Sequence, residues 1–174
     1  EYGAYTNVEW TVFDVYVTNS PVFSEGTQYV CSAASVTGNS FAQTSPTNVV
    51  LALTNDATLT WLWQTFYQLT VLTNGSGSVS GSNGWYASGS TSMLTAANSP
   101  HWHFDGWSGE TNGCGIAGNV ITARMTQARS LSANFEIDRH TLAIASDHGS
   151  PAPPTGINTN DYGTTLTNSV GLLD

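Results

Sequence analysis

The stretch HWHFDGWSGE, residues 101–110, carries the side chains that are best suited to chemistry. His101, His103 and Asp105 occupy every second position. In a β-strand such residues project from one face. Two imidazoles and a carboxylate on one face are a candidate metal site, with ligand distances of about 2.0–2.2 Å, or a candidate acid/base site.

Neither chemistry is complete in the sequence. A tetrahedral metal site needs a fourth ligand, and only His140 and His148 are left as histidine candidates. General acid/base catalysis has no accompanying nucleophile or oxyanion hole, and no cofactor-binding loop occurs. The interpretation that we favour is a half-exposed strand in which His103 and Asp105 are hydrogen-bonded to each other, in a protein without enzymatic activity or cofactor.

The composition is acidic and poor in charge. Charged residues make up 9% of the chain, the formal net charge is -9, and lysine is absent. The three basic residues, Arg124, Arg129 and Arg139, cannot form the basic patch that nucleic acids or anionic membranes require. The sequence predicts no transmembrane helix, since no apolar run reaches about 18 residues, and no leading signal peptide, which could have been removed before this chain begins. The hydroxyl-rich balance predicts an extracellular or cell-surface protein.

The two cysteines, Cys31 and Cys114, are far apart and form no CxxC pair. Further ligands at zinc spacing are not evident. In a secreted protein a single disulfide between them is the favoured prediction, and two buried free thiols are the alternative.

Period-two alternation of apolar and polar residues dominates the chain and predicts an all-β fold of several small sheets. Turn signals such as NGSGS (74–78) and SPAPPTG (150–156) separate the segments. The segments predicted as strands are 14–19, 47–55, 58–73, 90–97, 118–127, 130–138 and 140–146.

An internal repeat is the most informative feature. Residues 66–138 form one complete unit, and the elements of residues 139–174 match its beginning in order. Residues 1–65 match its later part, since TQYVCSAASVTG resembles HWHFDGWSG. EYGAYTN at the start resembles DYGTTLTN near the end. We therefore predict two small β-rich modules, the second of which is split between the N- and C-termini and completed within one chain or by a neighbouring chain.

The central unit resembles the bacterial divergent InlB B-repeat family, in the motifs YQLTV, GSGSVSG, GWYASGSTSMLTA, HFDGWSGE and ARSLSANFE. The resemblance implies β-rich modules strung in tandem in secreted or surface proteins, where they serve as stalks, spacers or adhesive regions. It implies that Phe104 and Trp107 are core anchors and that Gly106 and Gly109 adopt turn conformations. The family brings no catalytic residues. CSAASVTG departs from the pattern because it lacks the Gly-Trp pair, and WLW replaces the final Phe.

The split module predicts a subunit or tandem segment of a surface fibre, stalk or adhesin that assembles head to tail by strand complementation. Its partners would be copies of itself or adjacent repeats. The strands expected to pair between copies lie at the two termini. They contain Tyr162, Thr165, Leu166, Val170, Tyr2 and Tyr5.

Aromatic residues offer an alternative function. Trp61 and Trp63 share one face of a strand, and Trp85 and Tyr86 follow a turn. Exposed coplanar rings of this kind could stack on sugars, which would make the protein a carbohydrate-binding module with surface glycans as its partners. The competing interpretation is that these rings cover thin cores, which need large side chains.

Overall fold

The structure is a computed structural model, and it describes Gly3, Thr6 and residues 10–170. The described residues are all-β and contain no helix, as the alternation predicts. Tyr2 and Tyr5, two of the expected assembly residues, lie outside the described residues. In chain order the strands are β1 (Thr11–Tyr16), β2 (Val22–Ser24), β3 (Thr27–Thr37), β4 (Phe41–Ser45), β5 (Asn48–Leu53), β6 (Thr58–Asn74), β7 (Gly77–Ser80), β8 (Gly84–Ala87), β9 (Thr91–Asn98), β10 (Trp102–Gly109), β11 (Gly115–Ala117), β12 (Val120–Arg124), β13 (Arg129–Ile137), β14 (Arg139–Ile144), β15 (Pro151–Ala152), β16 (Gly156–Asp161) and β17 (Ser169–Val170).

The chain divides into two compact units. Unit 1 comprises the chain up to Thr70 together with Ser82–Ser92 and Arg124–Arg129. Unit 2 comprises Val71–Gly81, Met93–Ala123 and the chain from Ser130 onward. The predicted module boundaries at residues 65 and 138 follow sequence similarity rather than compactness, and they stay a prediction.

Unit 1 contains two antiparallel strand sets. One is the sheet β1-β5-β4, and in the other β3 pairs with β2 and β6, while β8 also pairs with β6. Alternation turns one side of each set inward, so Val49 and Leu51 of β5 are buried with Ala34 of β3. Phe13, Leu59 and Trp61 pack against this cluster but are only half-buried. The core of unit 1 is therefore partly open to solvent on the side of these residues.

Unit 2 has a closed core. Phe135, Ala133 and Ala96 are buried, and Phe104 and Trp107 pack against them as the family pattern implies. The Phe104 ring meets the Phe135 and Trp107 rings edge-on, with a centroid distance of 5.7 Å in each pair. The strands of unit 2 form the antiparallel pair β10-β13, the sheet β11-β12-β9-β7 and the separate ribbons β14-β16 and β15-β17.

The GSG of the sequence motif has a separate physical reason at each glycine. Gly75 has a φ of 84°, and a Cβ there would lie 2.1 Å from the carbonyl oxygen of Phe135. Gly77 has ordinary extended backbone, but a Cβ there would lie 2.3 Å from Cζ of Phe135. The motif therefore lets backbone lie directly on the ring of Phe135.

Candidate interaction surfaces

His103 is paired with a residue that the sequence pattern does not single out. Its Nδ1 lies 2.9 Å from Oδ1 of Asp138, and both side chains are more than one-third exposed. The prediction that His103 is hydrogen-bonded to Asp105 was therefore wrong, because the partner is Asp138. Asp105 sits in a β-bulge, where the register of β10 against β13 shifts between Phe104 and Gly106. A bulge adds one residue to a strand and interrupts its alternation, which moves Asp105 out of the expected row.

His101 stacks on an aromatic ring near the C-terminus. Its ring lies flat on the ring of Tyr162, with a centroid distance of 3.5 Å and an interplanar angle of 5°. Among the described residues, no three His, Cys, Asp or Glu side chains converge on a point that could hold a metal ion. The structure therefore does not bring His101, His103 and Asp105 together as one ligand set.

The predicted disulfide is not present in the structure, because Cys31 and Cys114 are both free thiols. Cys31 is buried in unit 1, where its Sγ donates to the carbonyl oxygen of Pro46 at 3.3 Å. Burial raises the pKa of the Cys31 thiol, which lowers its reactivity at neutral pH. Cys114 is half-buried, and its Sγ lies 4.0 Å from the carbonyl oxygen of Glu110. Each thiol thus has a carbonyl acceptor within its own unit.

The β3-β6 pair repeats the β10-β13 pair residue by residue. In one pair Phe104 is opposite Phe135 just before the bulge; in the other, Cys31 is opposite Trp63 just before a bulge. The positions after the bulge correspond as well, and there the large and small partners are exchanged. Trp107 is opposite Ala133 in one pair, and Ala34 is opposite Trp61 in the other.

Corresponding positions differ in exposure. Phe135 is 4% exposed in the complete module, whereas Trp63, its counterpart in the N-terminal half, is 42% exposed. Leu69 of the YQLTV motif is 0% exposed, whereas Leu142, its counterpart in HTLAIAS, is 38% exposed. Large apolar side chains that are covered in the complete module are thus open to solvent in both halves of the split one.

Residues 67–139 match the divergent InlB B-repeat domain family. The match confirms the family resemblance of the central module, and its limits nearly coincide with the predicted unit of residues 66–138. Neither a curated protein nor a solved structure matches the chain significantly. The divergent InlB B-repeat domain is typical of bacterial surface or extracellular repeat proteins.

No helix in the described part of the chain is long and apolar enough to cross a membrane.

The expected assembly residues near the C-terminus follow β16, the last strand but one. Tyr162 stacks on His101, and its backbone N–H donates to the carbonyl oxygen of Asp138 at 2.7 Å. Thr165 is exposed and Leu166 is half-buried. Val170 pairs with Pro151 in the short ribbon β15-β17. This segment is therefore attached to the repeat domain at Tyr162, although none of residues 162–169 is buried.

The four aromatic residues of the expected sugar platform do not share one face. On β6, Trp61 and Trp63 project to the same side as Tyr67, which is opposite Tyr86 of β8. Trp85 is opposite Gln68 and so projects to the other side. Trp61 packs on the core of unit 1, as the thin-core interpretation expects.

Trp85 instead meets a ring that sequence reasoning missed. The ring of Phe23 lies 5.6 Å from the ring of Trp85, centroid to centroid, at an interplanar angle of 54°. Phe23 belongs to β2, a strand of three residues that is too short for a period-two pattern to reveal. The only sequence signal for this strand is the turn sequence EGT, residues 25–27, which follows it.

Proposed function

We propose that this protein is a non-enzymatic structural subunit or tandem segment of a bacterial surface fibre, stalk or adhesin. Its C-terminal half-module, residues 139–174, accepts the N-terminal half-module, residues 1–65, of the next copy. The repeat domain between them acts as the rigid spacer. A head-to-tail contact of this kind does not close on itself and therefore builds a filament.

The observation that carries the proposal is the matched exposure of Trp63 and Leu142. Each corresponds to a covered residue of the repeat domain, and the two lie on the two complementary halves of the split module. In the repeat domain, backbone at Gly77 lies on Phe135. By correspondence, the segment after β14 of one copy would lie on Trp63 of another. Covering an aromatic side chain and a leucine contributes about 1.5–3 kcal/mol each.

The C-terminal half-module cannot be stabilised by its own core. None of residues 139–169 is fully buried. The described strands of this half, β14 to β17, form the two-stranded ribbons β14-β16 and β15-β17. An isolated two-stranded ribbon is marginal in water at best. An open groove of about 290 Å³, lined in part by Leu142 and Leu166, runs along the β14-β16 ribbon. The groove supplies apolar surface for an incoming strand.

Strand pairing in the two halves supports the same assignment. The ribbons β14-β16 and β15-β17 reproduce the pairings β6-β8 and β7-β9 of the repeat domain. The sheet β1-β5-β4 reproduces β9-β12-β11. Together the two halves hold every strand of the module, and neither half holds all of them.

The test is assembly of purified variants, followed by light scattering and negative-stain electron microscopy. We expect the unaltered chain to form uniform filaments, because both open surfaces are intact. Leu142→Asp and Trp63→Asp should each leave monomers, since a carboxylate at the joint would be buried without a partner. Neither substitution should unfold the chain, because both side chains are exposed.

Leu72→Asp is the matched control. Leu72 is as exposed as Trp63 but lies in β6 within the repeat domain, away from the proposed joint. Filaments should persist in this variant. An unaltered chain that stays monomeric at high concentration would overturn the proposal, as would filaments that survive Leu142→Asp.

A further inference from the structure

We infer that the outer face of the β8-β6-β3-β2 strand set is a binding site for neutral polysaccharide. Residues that face the same way stand opposite each other on these strands: Phe23, Gln28 and Phe66 form one row, and Gln68 with Trp85 forms the next. Gln64 lies on the same side of β6, two residues before Phe66. All of these residues belong to unit 1.

The two exposed rings meet across this face. Phe23 comes from β2 and Trp85 from β8, the two outer strands of the set. Their rings touch although two strands lie between them, and they remain 60% and 37% exposed. An aromatic pair that stays open to solvent presents flat apolar surface, onto which the hydrogen-bearing face of a pyranose ring can stack.

Three amide side chains lie on the same face as the rings. Gln64 and Gln68 are exposed, and Gln28 is half-buried between Phe23 and Phe66. Each amide offers two donors and one acceptor oxygen, which suits the paired hydroxyl groups of a sugar. Aromatic surface combined with convergent amides is the chemistry that recognises an uncharged, hydroxyl-rich ligand.

Charge argues for a neutral ligand. None of β2, β3, β6 and β8 contains an Asp, Glu, Lys, Arg or His residue. The nearest residue along these strands that is charged at neutral pH is Glu25, in the turn between β2 and β3. Because its net charge is -9, the chain repels polyanions. A polycation would find no carboxylate on the strands of this face.

The size of the face argues against a second copy of the chain as the occupant. The face is four strands wide, and β2 and β8 have only three and four residues. At strand spacings of about 4.8 Å and rises of about 3.3 Å, this is roughly 200 Å². A stable protein interface needs about 800 Å² from each partner. A few sugar units fit the available surface.

The experiment is affinity electrophoresis of the full chain in native gels that contain hydroxyethyl cellulose, a mannan, a galactan or dextran, with alginate as the anionic comparison. We expect retardation by at least one neutral polysaccharide and none by alginate. Trp85→Ala and Phe23→Ala should each weaken binding at least tenfold, and the double variant Gln64→Ala/Gln68→Ala should weaken it as well. Circular dichroism checks that each variant is folded.

Trp63→Ala is the matched control, because Trp63 is similarly exposed but projects from the opposite face of β6. It should retain polysaccharide binding while it weakens assembly, so the two proposals fail independently. Lack of retardation in every neutral gel would overturn the inference. Equal binding by Trp85→Ala and the unaltered chain would also overturn it. Loss of self-association in Trp85→Ala without polysaccharide binding would assign the face to a second copy instead.

Discussion

Phe135→Ala is expected to lower the free energy of unfolding of unit 2 by about 3–5 kcal/mol, the usual cost of removing a buried phenyl ring. Phe135 is 4% exposed, packs edge-on against Phe104 and is covered by backbone at Gly77. The cavity cannot be filled by collapse, since the backbone at Gly75 and Gly77 has no side chain to move into it. Calorimetry or denaturant unfolding measures the change.

Met93→Ala is the control for this substitution. Met93 is a large apolar residue of unit 2, but it is largely exposed. Its truncation should change the free energy of unfolding by no more than about 0.5 kcal/mol. A loss below about 1 kcal/mol for Phe135→Ala would contradict the assignment of Phe135 to the centre of the core.

Gly77→Ala is expected to have the second largest effect, a loss of about 1–3 kcal/mol through overpacking. The added methyl carbon would lie 2.3–2.5 Å from three atoms of the Phe135 ring. The ring cannot turn aside easily, because Phe104 packs against it at a centroid distance of 5.7 Å. β7 would have to move away from β13 and open the core.

Gly115→Ala separates this steric effect from the general cost of replacing a strand glycine. Gly115 lies in β11, and a Cβ there would meet nothing closer than Cβ of Thr122 at 3.9 Å. This variant should be neutral or slightly stabilised, since alanine reduces the freedom of the unfolded chain. Equal unfolding midpoints for the two alanine variants would show that the close approach of Gly77 to the Phe135 ring does not affect stability.

Much of the fold could be predicted from the sequence, because alternation and repetition are properties of the chain itself. The seven segments predicted as strands correspond to β1, β5, β6, β9, β12, β13 and β14, with ends shifted by up to a few residues. β2 and β15 were missed because they have too few residues to show a period. β3 was missed although it has 11 residues, because a bulge between Cys31 and Ala33 interrupts its alternation. The β-bulges were equally hidden, because a bulge is defined only by the partner strand.

The candidate sites were harder to predict, because they depend on which residues come opposite each other. The pairing of His103 with Asp138 joins β10 to the residue that follows β13, and sequence spacing gives no hint of it. Trp85 and Tyr86 are adjacent in sequence, so alternation puts them on opposite faces of β8. The expected platform joined these two residues, whereas the observed ring pair joins Trp85 to Phe23.

Mixing two assembly variants tests the head-to-tail joint most directly. The Leu142→Asp chain keeps an intact N-terminal half-module, and the Trp63→Asp chain keeps an intact C-terminal one. Each variant alone should sediment as a monomer of 18.4 kDa. An equimolar mixture can form one joint and no more, so sedimentation velocity should show particles of two chains, one of each kind. A mixture that sediments as two unassociated monomers would contradict assembly between chains.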